Sequence, residues 1–338
     1  MNTLIKKFFC LSAALLLLII LPAGCTPAQQ SYSKTGTYFD TVIKLTVYQS
    51  KDARYLDGCM ELAAHYEQLF SRTIKDSDIS RINAAEGAYV QVDQETIDLI
   101  RAGLTYCQLS GGVFDITLGE VSDLWNFKEH KDGSLPDPDS IKEAVSHVNY
   151  KNVKLKGTKA ALTDPDASLD LGGIAKGYIA DRMKEYLEDN GVSSGMINLG
   201  GNVITIGEKP DGTDYQIAIQ KPFDESGTPI GSVKIDNKSM VTSGTYQRCF
   251  EKDGIIYHHI LDPKTGYPIE NHLESVTIIS DQSVDGDGLS TTCLALGLEK
   301  GMELIENTDH TEAVFITDDG KVHTTSGFED QYQFIPYK

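Results

Sequence analysis

The chain has 338 residues, enough for one large domain or two small ones with an ample core. It carries 49 acidic and 30 basic side chains, a net charge of −19. Such a surface repels nucleic acid and anionic lipid and argues against both as partners. The six cysteines show no C-x-x-C spacing, so no zinc site is implied.

Residues 1–24 read as a signal peptide. Lys6 and Lys7 form a positive start, Phe8 to Leu21 an apolar run, and Pro22-Ala23-Gly24 precede Cys25. Gly immediately before Cys points to a lipoprotein signal, with diacylglycerol on the Cys25 sulfur. The position three before the cysteine is Pro22, with Leu21 one step earlier, so simple secretion and an uncleaved anchor stay open. Losing Lys6 and Lys7 makes the remaining chain two charges more acidic. Residues 25–35 form a polar, Pro-containing tether, and residues 36–338 the body, held at the outer face of the cytoplasmic membrane. Cys59, Cys107, Cys249 and Cys293 are expected as buried free thiols, with one or two disulfides as the alternative.

Within the body, Gly36 to Gln49 alternates as one strand. Asp57 to Phe70 has the apolar stripe of a helix through Met60, Ala63, Tyr66 and Phe70. Ser71 to Asn83 is a polar turn region. Asp93 caps a helix over Gln94 to Leu109, which stops at Ser110-Gly111-Gly112. Lys128 to Pro138 is loop, Pro138 to Val148 helix, and Val153 to Thr163 a hairpin. Leu169-Asp170-Leu171 reads as a strand end that turns through Gly172-Gly173 into a helix running to Asn190-Gly191. Met196 to Val203 is a strand broken by a Gly pair. Tyr215 to Gln220 and Gly231 to Ile235 are strands, and Leu273 to Ser280 another. A helix runs from Val284 to Gly297, one closes at Leu304 to Asn307, and Ala313 to Thr317 is the last strand. Strands and helices mix without a β-α-β beat, which predicts an α+β fold.

Four places carry chemistry. Asp170, Gly172, Gly173 and Lys176 lie where a helix N-terminus and a lysine can hold an anion, with Asp170 facing Lys176; the glycines could equally serve packing alone. Asp285 and Asp287 stand with Ser290 and Thr291 at a helix entrance. The four-residue step from Asp287 to Thr291 aims two hard oxygens at one point, which suits Mg²⁺, unless Asp287 only caps the helix. His258 and His259 are adjacent, so in a strand one faces in and one out, and an inward His can be a satisfied core residue. Phe114, a possible stacking ring, sits beside Asp115 behind Gly111-Gly112. There is no G-x-G-x-x-G, Walker loop or G-x-S-x-G elbow.

The chain resembles the ApbE family, the FAD:protein FMN transferases, from about Gly36 to Thr317. The resemblance rests on six ordered motifs: G-G-V-F-D-I-T-L-G-E-V-S-D-L-W-N-F from Gly111, L-D-L-G-G-I-A-K-G-Y-I-A-D from Leu169, I-N-L-G-G-N from Ile197, V-T-S-G-T-Y-Q-R from Val241, Y-H-H-I-L-D-P-K-T-G-Y-P from Tyr257, and D-G-L-S-T-T-C-L-A-L-G from Asp287. It implies two related T-fold-like halves in one catalytic body. It also implies Mg²⁺-dependent cleavage of FAD, with FMN passed through its phosphate to a Thr or Ser hydroxyl of an exported acceptor protein and AMP released. The metal ligands carried over are Asp287, Thr291 and the Gly173 carbonyl, with Ser290 a weaker candidate. The flavin nucleotide contacts fall on Val113, Phe114, Asp115, Asp170, Lys176 and Leu261, and the catalytic histidine on His259, with Asp287 a second candidate base. Two contacts depart from the family pattern, at Phe39 and near Thr73. Hydrolysis of FAD to FMN and AMP, or flavin binding without turnover, are the alternatives. The resemblance implies acceptors with a short D-g-x-[ST]-x-A-[ST]-like pattern.

Overall fold

The computed structural model describes residues 30–128, 133–224 and 226–337. The expected leader and Cys25 lie outside them, as does the middle of the predicted 128–138 loop. Among the described residues no helix is long and apolar enough to cross a membrane.

The first strand of the sequence reading is a hairpin. Tyr32–Tyr38 (β1) pairs antiparallel with Thr41–Val47 (β2). The two residues between them, Phe39 and Asp40, hold φ of 52° and 56°. Two consecutive left-handed residues give the turn that matches strand twist, and no Gly or Asn marks it in the sequence. Leu56–Phe70 (α1) follows, then Asp78–Asn83 (α2) inside the region read as turn. Ser77 caps α2 by accepting from the Ser80 N–H. The short strand Val90–Gln91 (β3) leads to Gln94–Leu109 (α3), whose Asp93 cap accepts from the Glu95 N–H as expected. Gly119–Trp125 (α4) and Pro138–Ser146 (α5) precede the hairpin Val153–Lys156 (β4) and Lys159–Leu162 (β5).

Leu169 to Leu171 is not a strand. The Asn83 side chain takes both the Leu169 N–H (2.8 Å) and the Leu169 carbonyl (3.1 Å), and the Asp170 N–H reaches the Ile116 carbonyl. A side chain does there what a ladder partner would do. Ala175–Asp189 (α6) then begins. The Gly pair after it closes a second hairpin, Gly195–Leu199 (β6) with Asn202–Ile206 (β7). Tyr215–Gln220 (β8), Pro229–Ile235 (β9), Ser239–Gly244 (β10) and the hairpin Cys249–Lys252 (β11) with Ile255–His258 (β12) come next. Leu273–Ser280 (β13), Ser283–Leu296 (α7) and Leu298–Glu306 (α8) lead into Glu312–Thr317 (β14). That strand is not the last: Val322–Thr324 (β15), the short helix Phe328–Gln331 (α9) and Phe334–Pro336 (β16) follow.

One sheet organises all of this, in the order β1-β2-β6-β7-β10-β13-β14-β15. Its left part is a hairpin, helices, then a hairpin. Its right part is the pair β10–β13, the helices α7 and α8, then the pair β14–β15. The fold is thus α+β with the same strand-pair, helix, strand-pair plan used twice. Both faces of the sheet are covered. Along β14, Ala313 and Phe315 enter the core under the helices, while Val314 and Ile316 enter a second core against β8, β9 and α9. Alternate side chains therefore both meet apolar surroundings, so the central strands read as nearly continuous apolar runs. The four cysteines Cys59, Cys107, Cys249 and Cys293 are free thiols.

Candidate active site

Helices α6 and α7 cross so closely that each holds the other by a carboxylate. Asp287, only 2% exposed, accepts from the Gly177 N–H of α6 at 2.9 Å and lies 3.2 Å from the Lys176 ammonium. In return Asp181 of α6 accepts from the Ser283 and Val284 N–H groups at 2.7 and 2.8 Å. These are otherwise orphan donors at the start of α7. Asp287 is therefore five residues into the helix and not its cap; the capping carboxylate comes from another helix. Burial beside α7, with Asp285 near, pushes the Asp181 carboxyl up to about 6. Asp285 accepts from the Tyr106 hydroxyl at 2.6 Å. The close crossing needs Gly177: a Cβ there would sit 2.2 Å from the Ser283 carbonyl oxygen.

One turn further along α7, the Thr291 hydroxyl lies 3.1 Å from that of Ser243 on β10, which also meets Ser290 at 2.9 Å. Gly173 approaches from the loop before α6. A Cβ on it would be 3.0 Å from the Phe114 ring and 3.8 Å from the Thr291 methyl. Gly173, Thr291, Phe114, Lys176 and Asp287 thus come together as the sequence reading expected. The oxygens of Asp287, Thr291 and Gly173 are the hard donors that suit Mg²⁺, and Lys176 with the Gly177 N–H already fixes the Asp287 carboxylate. The donor set fits that ion.

His259 lies within electrostatic reach of Lys176, while its neighbour His258 is turned to the backbone at Ile260 and Ile269. Both ring nitrogens of His258 are in use: Nε2 donates to the Ile269 carbonyl (3.1 Å) and Nδ1 accepts from the Ile260 N–H (3.3 Å). His258 is 7% exposed, so it does not take the outward place that strand alternation would leave beside an inward His259. It is the satisfied core histidine, and it locks the chain around its neighbour. The Nδ1 of His259 is buried without any partner. Burial first, then the charges of Arg248, His258 and Lys176, lowers its pKa to about 3, so the ring is neutral at ordinary pH.

Other expected contacts sit differently. Asp170 does not face Lys176; it binds Arg72 at 3.1 Å and the Gly172 N–H at 2.8 Å, while Arg72 also holds Asp123. Both Asp115 oxygens are spent inside the protein, on Thr117 and on the Tyr150 N–H. Its carboxylate steadies the loop behind Phe114, and burial raises its pKa. Leu261 is buried in a third apolar cluster with Trp125 and Phe250, and its backbone is bridged to Pro268. Val113 lines a cleft of ≈ 160 Å³ with Pro263, Lys264 and Ala295. Phe39 occupies the β1–β2 turn with its N–H on Glu67, and Thr73 is exposed beside Ser71. Sequence reasoning missed Asp181, Gly177, Ser243 and Arg72 as parts of the site. The i, i+4 step from Gly177 to Asp181, both inside one motif, was the available signal. A wider recess of ≈ 610 Å³ beside Lys209 and Asn237 contains none of these residues.

The fold and the site define a class: an α+β protein with an oxygen-rich cluster and a lysine between two helices and, within reach of that lysine, a neutral histidine whose Nδ1 is buried and unpartnered. Comparison with known proteins then makes this particular. The profile of the ApbE family matches residues 39–315. A FAD:protein FMN transferase of Klebsiella pneumoniae is 38% identical over 289 residues, covering 85% of this chain and 89% of that protein. One of Treponema pallidum is 32% identical over 326 residues, covering 90% of each. The solved ApbE protein of Thermotoga maritima superposes with a TM-score of 0.82 at 29% identity, over 89% of this chain and 98% of that one. The flavin transferase ApbE of Vibrio cholerae gives 0.78 at 27% identity, over 89% and 99%. The chain belongs to the ApbE family.

Proposed function

We propose that this protein is a FAD:protein FMN transferase that moves FMN from FAD onto a Thr or Ser hydroxyl of an exported acceptor, forming a phosphoester and releasing AMP. The observation that carries this reading is the unpartnered Nδ1 of His259, neutral and buried, in the neighbourhood of the Lys176–Asp287 pair. Nucleophilic attack by a hydroxyl on a pyrophosphate must overcome the negative phosphate oxygens and must dispose of the hydroxyl proton. Lys176 supplies positive charge where phosphate binds, and the amide groups of the 172–177 turn add their dipoles. His259 offers a free nitrogen to the acceptor hydroxyl. Bound phosphate raises the basicity of that nitrogen by offsetting Lys176 and Arg248. AMP leaves as a stable anion and needs no proton. Asp287, Thr291 and the Gly173 carbonyl would hold Mg²⁺, which would supply positive charge against the phosphate oxygens. Phe114, between Tyr106 and Gly173, offers a ring face for the flavin nucleotide.

The lipoprotein reading of residues 1–25 belongs to the same proposal. An anchor on Cys25 would keep the enzyme beside acceptors outside the cytoplasmic membrane. The test of the reaction is FAD turnover with Mg²⁺ and an acceptor carrying the expected Thr/Ser pattern. Asp287→Ala is expected to lose Mg²⁺-dependent AMP release while still binding flavin; full activity of that variant at the same Mg²⁺ would defeat the metal assignment.

A further inference from the structure

The last residue of the V-T-S-G-T-Y-Q-R motif, Arg248, has no part in the chemistry above except as a charge near His259. Its place in the fold is specific. Hairpin β11–β12 pairs Cys249 with His258 and Phe250 with Tyr257. One step before β11, the His259 N–H donates to the Arg248 carbonyl at 3.1 Å. Arg248 and His259 therefore lie opposite each other one step beyond the ladder, joined by one backbone hydrogen bond. Such residues leave the ladder on the same face with Cβ atoms roughly 5 Å apart.

The charge of Arg248 is also unspent. The other five arginines of the described residues each have an acidic or aromatic partner; Arg72, for example, binds Asp170 and Asp123, and Arg182 binds Glu185. Arg248 is exposed and, among the described residues, forms no ion pair or side-chain hydrogen bond. Its cross-strand neighbour His259 has the one ring nitrogen of the histidine pair that is buried and unpartnered. Lys176 is near enough to join Arg248 in keeping that ring unprotonated, after burial itself. Near His259, Lys176 is met by Asp287, whereas Arg248 is met by no carboxylate among the described residues.

We propose that Arg248 is a phosphate-binding residue, whose guanidinium takes the diphosphate of FAD beside His259. This rests on the transferase reading and adds to it a group that orients the diphosphate toward the histidine. A guanidinium can fork onto two phosphate oxygens at once, which an ammonium such as Lys176 cannot do.

The test is equilibrium binding of FAD, ADP and riboflavin to the purified wild-type protein, Arg248→Ala and Arg248→Lys, with melting temperature as a fold control. Arg248→Ala is expected to weaken FAD and ADP by about 10- to 100-fold, the scale of one charge-assisted hydrogen bond, and to leave riboflavin within about twofold. Arg248→Lys should fall between, because it keeps the charge and loses the fork. Unchanged FAD binding in Arg248→Ala overturns the proposal. So does an equal loss for riboflavin and FAD, which would make Arg248 a support of the flavin pocket. A wild-type protein that binds neither FAD nor ADP would overturn the transferase reading itself, and the assignment of Arg248 with it.

Discussion

Two adjacent histidines divide structure from chemistry at this site. His258 uses both ring nitrogens to fix the backbone at Ile260 and Ile269, whereas His259 leaves Nδ1 buried and unused. Their alanine variants should therefore fail in different ways. His259→Ala is expected to keep its melting temperature and lose on the order of 10²-fold or more in FMN transfer, the scale of a general base. His258→Ala is expected to lose about 2–4 kcal/mol of stability, from two hydrogen bonds and a cavity. A stable His259→Ala protein with normal transfer would defeat the catalytic assignment. Protons give a second readout. Burial holds the native pKa of His258 below its ordinary value of 6.5. Below that pH the unfolded chain binds a proton that the native ring refuses. The stability contributed by neutral His258 is thus complete above pH 6.5 and declines as pH falls toward its native pKa, by at most about 1.4 kcal/mol per pH unit. Thermal melts from pH 7 to pH 5 should fall more steeply for wild type than for His258→Gln; parallel curves would show that the ring titrates normally.

At the scale of elements, the pair α6 and α7 is the device that assembles the site. Each helix donates backbone N–H groups to a carboxylate of the other, Gly177 to Asp287 and Ser283 with Val284 to Asp181. Gly177→Ala would push a methyl against the Ser283 carbonyl. We expect a loss of about 3 kcal/mol, the upper part of the range for overpacking, together with FAD turnover. Asp181→Asn should cost about 1–2 kcal/mol, because the amide oxygen can accept from one of the two N–H groups while its NH₂ is set against the other. Normal melting of Gly177→Ala would show that the helices can part without cost. Much of this was legible in the sequence. The Asp93 cap and the apolar stripe of α1 follow from local pattern, and the grouping of Lys176 with Asp287 and Thr291 follows from the family resemblance. What was not legible depends on partners distant in sequence. Asn83 replaces a strand neighbour at Leu169, so an alternating apolar run became a loop. The Phe39–Asp40 turn has no Gly to announce it. Asp170 was matched to the nearest lysine in sequence, but the fold gave it Arg72, almost a hundred residues earlier. Alternation in a strand would turn one of the two histidines outward, but His258 is buried because the chain folds back over it and takes both of its ring nitrogens at Ile260 and Ile269.

For the whole molecule, membership of the ApbE family and the twofold use of one strand-pair, helix, strand-pair plan account for the body from residue 39 to 315. The N-terminal reading makes a separate prediction: Cys25→Ser should shift the expressed protein from the membrane fraction to the soluble one, since two acyl chains suffice for stable anchoring. Unchanged membrane association would remove the lipid anchor from the account. The central claim is the transfer itself. Its most direct test is mass spectrometry of an exported acceptor protein carrying the Thr/Ser pattern, after incubation with this enzyme, FAD and Mg²⁺. The account predicts that the acceptor gains the mass of one FMN less water on a Thr or Ser, with one AMP released for each FMN attached, and that His259→Ala abolishes both. AMP formed at the same rate with the acceptor left unmodified would contradict it and make the protein a hydrolase.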